Sequence, residues 1–467
     1  MDYKLLIDGA LVDGASTMNV ENPATNEVLA VCPRGSRAQL DQAVAAAKAA
    51  FVGWSATPID VRKKALVEIA GIIEANTAEL ARTLTEEQGK PLREATGEVG
   101  GAAAFFRFFA SQDLPVRVIE DSPGRRVEAH RKPLGVVAAI VPWNVPFALA
   151  AFKLPAALLA GNTIVLKPAA TTPLTTLRLG MLIKDVLPRG VLNVITDAND
   201  LGDALTSHAD VRKISFTGST VTGSKVMANA AAGLRRVTLE LGGNDAAIVL
   251  DDVDPKQVAP KLFWAAFRNA GQLCVAIKRL YVHESVYDQV CAELTALADA
   301  TIVGDGLDPA TQIGPVQNKR QFERLKDLLE DSKHRGRVIA GGDVPDKRGY
   351  FMRPTIVRDI AEGTRLVDEE QFGPILPIIK YTDPEDALAR ANASAFGLGG
   401  SVWSANVDRA TALADRMDAG TVWVNQHMVL APHIPLAGAK SSGVGVELGA
   451  EGLAEFTQLK IVNIAKS

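Results

Sequence analysis

The chain has only three cysteines in 467 residues, Cys32, Cys274 and Cys291, too few and too scattered for a disulfide framework. A reducing compartment suits such a sequence, and a cytoplasmic location is expected. The six histidines (130, 208, 283, 334, 427 and 433) lack the spacing of metal ligands, so no metal centre is expected. His427 and His433 fall in a proline-bearing loop, which argues further against one. An excess of one charge is also missing. The net charge of −4 removes the electrostatic case for nucleic acid or an acidic membrane surface as partner. Long apolar runs are absent as well: Val136 to Leu166 is interrupted by Trp143, Asn144, Lys153, Asn162 and prolines 142, 146 and 155. No stretch is long enough to span a bilayer. The start, Met1-Asp2-Tyr3-Lys4, lacks the basic opening and apolar core of a signal peptide. With 47% hydrophobic and 22% charged residues, the composition is that of an ordinary globular protein, long enough for two or three domains.

Strands alternate with helices along the chain. Leu5 to Asp8 and Ala10 to Val12 flank a glycine and read as a short hairpin. Leu40 to Phe51 and Ile59 to Glu74 carry helical apolar spacing. Strands are expected at Val136 to Val141, Thr163 to Leu166, Val191 to Ile195 and Lys213 to Phe216. Helices over Ala148 to Leu159, Thr175 to Val186 and Asp200 to Ser207 lie between them. The alternation implies an α/β fold with a parallel, doubly wound sheet. It resumes after Gly243 with strand Ala246 to Val249, helix Lys256 to Phe267 and strand Arg279 to Val282, so a second α/β domain follows. Pro115 to Pro133 alternates basic and apolar residues without a helical period and reads as a protruding hairpin.

Six short segments carry chemistry. Cys274 ends Asn269-Ala270-Gly271-Gln272-Leu273-Cys274, and Glu240 lies upstream in Leu239-Glu240-Leu241-Gly242-Gly243-Asn244. A thiol and a carboxylate beside glycines suggest covalent catalysis with a water-activating base. Alone, Cys274 would favour a packing role, the usual fate of an intracellular cysteine. In Phe216-Thr217-Gly218-Ser219-Thr220, a strand runs into a helix that has Gly223 in its first turn, a geometry suited to phosphate. Simple helix capping explains it equally well. Prolines on both sides fix the backbone of Val141-Pro142-Trp143-Asn144-Val145-Pro146-Phe147 and leave the Asn144 amide free to donate to an oxyanion or to cap the next helix. Lys167 stands at the carboxyl end of a strand, where open α/β sheets bind ligands, although a surface lysine is the default reading. Glu370 and Phe372, two apart in Glu369-Glu370-Gln371-Phe372-Gly373-Pro374, can share one face of an extended segment.

Taken together and in this order, the Pro-Trp-Asn, Phe-Thr-Gly-Ser, Glu-Leu-Gly-Gly, Gly-Gln-x-Cys and Glu-x-Phe-Gly-Pro elements resemble the aldehyde dehydrogenase superfamily. The similarity runs from Asn22-Pro23-Ala24-Thr25 to Lys440-Ser441-Ser442-Gly443. The resemblance implies Cys274 as nucleophile, Glu240 as general base, and Asn144 with the Cys274 N–H as oxyanion hole. It implies Lys153 and Glu447 as a proton relay. For the coenzyme it implies Trp143, Lys167, Ala170, Gly218, Ser219, Gly223, Leu241, Glu370 and Phe372. For the substrate it implies Val145, Phe152, Arg268 and Leu436. The implied architecture is a Rossmann-type coenzyme domain (1–109 and 132–241), a catalytic domain (242–441) and a small β oligomerisation element (110–131 and 442–467). The implied activity is oxidation of an aldehyde to the acid with NAD, NADP being a second coenzyme, in a homodimer or homotetramer.

Several positions depart from the family pattern. Val145 replaces an aromatic, Ala170 a glutamate, Leu436 a phenylalanine and Val446 an arginine, while Ala437 precedes the second glycine. Arg268 matches one carboxylate-clamping arginine of the succinate-semialdehyde branch, but Phe152 stands where the second would be. The substrate is therefore either a semialdehyde acid or an aromatic or aliphatic aldehyde. A coenzyme-free thiol hydrolase would also use Cys274, Glu240 and an oxyanion hole, but would not need the dinucleotide residues. A CoA-acylating relative would generally lack the base at Glu240.

Overall fold

In a computed structural model describing residues 1–466, the chain forms two large sheets, a small three-stranded sheet and three two-stranded ones. The first large sheet has five parallel strands in the order Leu192–Val194, Thr163–Lys167, Val136–Ile140, Val211–Thr217 and Arg236–Glu240. These strands are almost wholly buried, as β-branched runs covered on both faces must be. The hairpin Leu5–Ile7 and Ala10–Val12 adds an antiparallel edge. Its turn holds Asp8 at φ 51° and Gly9 at φ 72°, the positive angles that a two-residue hairpin loop demands. Gly443–Val444 closes the other edge against Leu239 and Glu240.

The strand order reverses between Val136–Ile140 and Val211–Thr217, and ligands of doubly wound sheets bind in the crevice at that switch point. Trp143 and Asn144 leave the first of these strands, and Gly218 and Ser219 leave the second.

The second large sheet runs Arg337–Ala340, Thr355–Arg358, Ile375–Tyr381, Ile277–His283, Asp245–Val249, Gly399–Trp403 and Thr421–Val424, parallel except for its first pair. It has its own apolar layers, one on each face. The small sheet joins the hairpin Arg117–Asp121 and Arg125–Pro133 to the C-terminal strand Thr457–Ala465, all antiparallel. The hairpin Ser16–Asn22 with Glu27–Arg34 and the helices Thr77–Gln88 and Leu92–Ala110 were not expected from sequence. Among the described residues no helix is long and apolar enough to cross a membrane.

Candidate active site

Three remote segments converge on one cleft enclosing about 970 Å³, its open mouth included. Glu240 ends its strand, Cys274 follows a kinked turn, and Val145 opens the helix Pro146–Ala160. All three line the cleft, with Phe152, Arg268, Leu436 and Glu447.

The loop before Cys274 is strained. Asn269, Ala270 and Gly271 all have positive φ (52°, 54° and 69°). A Cβ on Gly271 would lie 2.4 Å from the Gly373 carbonyl oxygen, so only glycine serves there. Side chains from three segments hold the strained turn in place. Asn269 Nδ2 donates to the Asn144 carbonyl at 3.0 Å, and Asn144 Nδ2 donates to the Gln272 carbonyl at 2.9 Å. Gln272 Nε2 donates back to the Asn269 carbonyl at 2.9 Å, while its Oε1 accepts the Gln317 N–H at 2.9 Å. Lys90 Nζ also donates to the Asn144 carbonyl, at 2.9 Å, and pairs with Glu98. An amide carries two N–H groups, so Asn144 keeps one beyond its bond to Gln272.

Cys274 is half-buried at the cleft floor, and burial pushes its thiol up to about 12; Lys278 opposes the rise, while Glu240, Asp245 and Glu370 add to it. Glu240 is buried, and its Oε1 has no hydrogen-bond partner among the described residues. Burial and the Glu447 carboxylate raise its pKa well above the usual glutamate value against the pull of Lys153. Behind it Lys153, fully buried, donates to Thr217 Oγ1 at 2.8 Å and pairs with Glu447. Glu447 Oε1 also accepts from Ser215 Oγ at 3.2 Å. The residue pair Leu436 and Glu447 stand opposite each other on two short antiparallel strands, which carries both into the cleft.

Val145, Ala148, Leu149, Phe152, Met428, Leu430 and Leu436 form an apolar part of the cleft lining. Phe152 packs on Phe105 with ring centroids 4.6 Å apart. Arg268 reaches the lining, but its side chain is 56% exposed and its Nε stands 3.9 Å from Glu94 Oε2.

On the other side of Cys274 lies the switch-point crevice. Ser219 caps the helix Thr220–Ala231, its hydroxyl accepting the Thr222 N–H at 3.3 Å. A Cβ on Gly223 would fall 2.3 Å from Leu241 Cδ2, so the bare glycine lets Leu241 lie against the first helical turn. Lys167 pairs with Asp197 at 2.6 Å, a partner the motif reading missed, and Ala170 is half-buried in the turn beyond. Trp143 and Phe372 meet edge to face at 5.4 Å, and Glu370 accepts the Gly243 N–H at 3.0 Å. Lys278, also missed, stands 3.4 Å from Glu370. The capped helix start, the bare Gly223 and the paired aromatics fit a dinucleotide.

His427 is buried beside this loop: its Nε2 lies 2.9 Å from the Val275 carbonyl oxygen and its Nδ1 2.9 Å from Ser401 Oγ, and burial lowers its pKa to about 3. Among the described residues no group of three or more His, Cys, Asp or Glu side chains is placed to hold a metal ion.

Residues 11–462 match the model of the aldehyde dehydrogenase family. The chain belongs to that family. Its reaction class is aldehyde oxidation. This aldehyde dehydrogenase is 42% identical to a probable aldehyde dehydrogenase of Pseudomonas sp., covering 99% of the chain and 94% of the relative. It is 38% identical to a phenylacetaldehyde dehydrogenase of Pseudomonas fluorescens, covering 100% of the chain and 96% of that protein. Among solved structures, betaine aldehyde dehydrogenase from Staphylococcus aureus in complex with NAD+ superposes with a TM-score of 0.97 at 32% identity, covering 100% of this chain and 95% of that one.

Proposed function

We propose that this dehydrogenase oxidises an apolar, aryl or alkyl aldehyde with NAD, using Cys274 as nucleophile and Glu240 as the base that activates water. The observation that carries the reading is the convergence of Cys274, Glu240 and Val145, the residue after Asn144, on one cleft, with the Asn144 amide bonded into the Cys274 loop. The Cys274 thiolate attacks the carbonyl carbon, forming an S–C bond while the carbonyl π pair moves to oxygen. The free Asn144 N–H and the Cys274 N–H stabilise that alkoxide. A bound nicotinamide supplies the acceptor for the hydride lost from this adduct, leaving a thioester on Cys274. Glu240, once deprotonated, takes a proton from water as its oxygen attacks; the C–S bond breaks and the acid leaves. The buried Lys153–Glu447 pair offers that proton a way out.

Lys167, Ala170, Gly218, Ser219, Gly223 and Leu241 would hold the adenosine and pyrophosphate, and Glu370 the nicotinamide ribose. The coenzyme, catalytic and oligomerisation elements are assigned to 1–109 with 132–241, to 242–441, and to 110–131 with 442–467. The first large sheet draws its strands from 5–240 and the second from 245–424, which supports the two larger assignments; Gly443–Val444 joins the first sheet rather than the small one. Homo-oligomers in the cytoplasm complete the reading.

The apolar lining and the half-exposed, Glu94-shared Arg268 favour neutral aldehydes over semialdehyde acids. The relative named for phenylacetaldehyde agrees with this preference. The test is NADH formation at 340 nm with matched phenyl, alkyl and carboxylate-bearing aldehydes. A higher kcat/KM for the carboxylate-bearing member would overturn the substrate assignment. No NADH from any of them would overturn the function.

A further inference from the structure

Lys278 is a lysine buried to 2% exposure on the strand that follows the nucleophile. A buried ammonium needs partners, since desolvation penalises its charge. It has two. Its Nζ donates to the Cys274 carbonyl at 2.5 Å and stands 3.4 Å from Glu370 Oε1. It also lies 5.9 Å from the Phe372 ring centroid. The same Glu370 oxygen accepts the Gly243 N–H at 3.0 Å. One cation therefore joins the nucleophile's own peptide to the residues on the coenzyme side.

The groups around the thiol make that cation important. Glu240 approaches from the first sheet, Asp245 from the strand beside Lys278, and Glu370 from the loop beyond the helix Arg365–Asp368. All three carboxyls disfavour a thiolate at Cys274, and Lys278 is the cation that favours it. Asp245 Oδ2 lacks a hydrogen-bond partner among the described residues, Asp245 Oδ1 accepts the Gly399 N–H at 3.1 Å, and burial raises its pKa to about 7. His427, whose Nε2 stands 3.7 Å from Asp245 Oδ2, is disfavoured in its charged form by burial. Arg279, the adjacent basic residue, is committed to the Asn244 and Ala391 carbonyls at 2.9 and 3.0 Å.

We propose that Lys278 is a positioning residue that clamps the Cys274 loop to Glu370 and favours the thiolate at Cys274, so that loss of its charge makes the nucleophile harder to ionise. The inference rests on the assignment of Cys274 as nucleophile.

The experiment measures the rate of iodoacetamide alkylation at Cys274 against pH in the purified full-length chain without coenzyme, with the site confirmed by mass spectrometry. Lys278→Met should move the profile to higher pH and slow alkylation at pH 8 by at least about threefold, the effect of half a pKa unit. Glu370→Gln removes a carboxylate that opposes the thiolate and should move the profile to lower pH. That variant alters a partly exposed side chain, so it carries the test if Lys278→Met does not fold. An unmoved profile in folded Lys278→Met, or an unmoved or upward profile in Glu370→Gln, overturns the proposal. Alkylation of wild-type Cys274 tests the underlying assignment separately: if turnover survives complete modification, the nucleophile is wrong whatever Lys278 does.

Discussion

Burial disfavours the charged form of both reacting groups. The Cys274 thiol is pushed up to about 12 and Glu240 is raised well above the ordinary glutamate range, and each works in its charged form. The direction for turnover follows: kcat should rise with pH as Glu240 ionises, and a pH–rate profile that falls through neutral pH would contradict a base role. Cys274→Ser should abolish dehydrogenase turnover and leave coenzyme binding nearly unchanged, because a serine hydroxyl is far less ionised than a thiol. Glu240→Gln should lower steady-state kcat by about 10²–10⁴-fold while an initial burst of NADH remains, since the base acts after reduction. Stopped-flow absorbance separates the two variants. Arg268 makes a weaker claim. Arg268 stands 3.9 Å from Glu94 with its own side chain mostly in solvent, so Arg268→Leu should change kcat/KM for a neutral aldehyde by less than about fivefold. A loss above tenfold for a carboxylate-bearing aldehyde alone would return Arg268 to the role of substrate clamp.

At the scale of elements, the ends of the parallel strands decide what is bound. Lys167 ends its strand already paired to Asp197, and Ala170 brings no carboxylate to the turn beyond. NAD should therefore be the main coenzyme, with measurable NADP turnover. Ala170→Glu should depress the NADP rate about tenfold through repulsion of the 2′-phosphate. Wild-type enzyme without NADP activity at saturation would show that another wall of the site excludes that phosphate.

These strand ends were legible because short β-branched runs and glycine turns leave a local trace. Glu240, Asn144 and Cys274 were legible because their neighbours are unusual residues at fixed spacing. Asp197 and Lys278 were not: each sits in an unremarkable segment, and only the folded sheet brings it to a partner 30 or more residues away. The hairpin Ser16–Asn22 with Glu27–Arg34 escaped for another reason. Its exposed, mixed-polarity strands carry no clean alternation. Arg268 was legible as a residue but not as a role, since its half-exposed setting depends on Glu94 from a remote helix.

At the scale of the whole molecule, the small sheet bears on assembly. Val118, Ile119, Leu459, Ile461 and Ile464 are exposed on its strands, more apolar surface than a lone three-stranded sheet usually shows to water. If copies pair through it, Ile461→Asp should shift the mass in solution toward the monomer, read by light scattering, and leave the chemistry of an isolated site intact. An unchanged mass would place the interface elsewhere.

The turn before Cys274 carries a different consequence. Its left-handed Asn269 donates to Asn144 in the loop that leaves the first sheet, and Gln272, the residue after the turn, accepts from Asn144 and Gln317. The competent turn is therefore tied to the loop that leaves the first sheet as well as to its own. A thiol that reacts selectively at Cys274 is thus a clock for assembly, appearing in refolding only when the two large sheets have docked. In a partly unfolded molecule it should be the first feature to disappear.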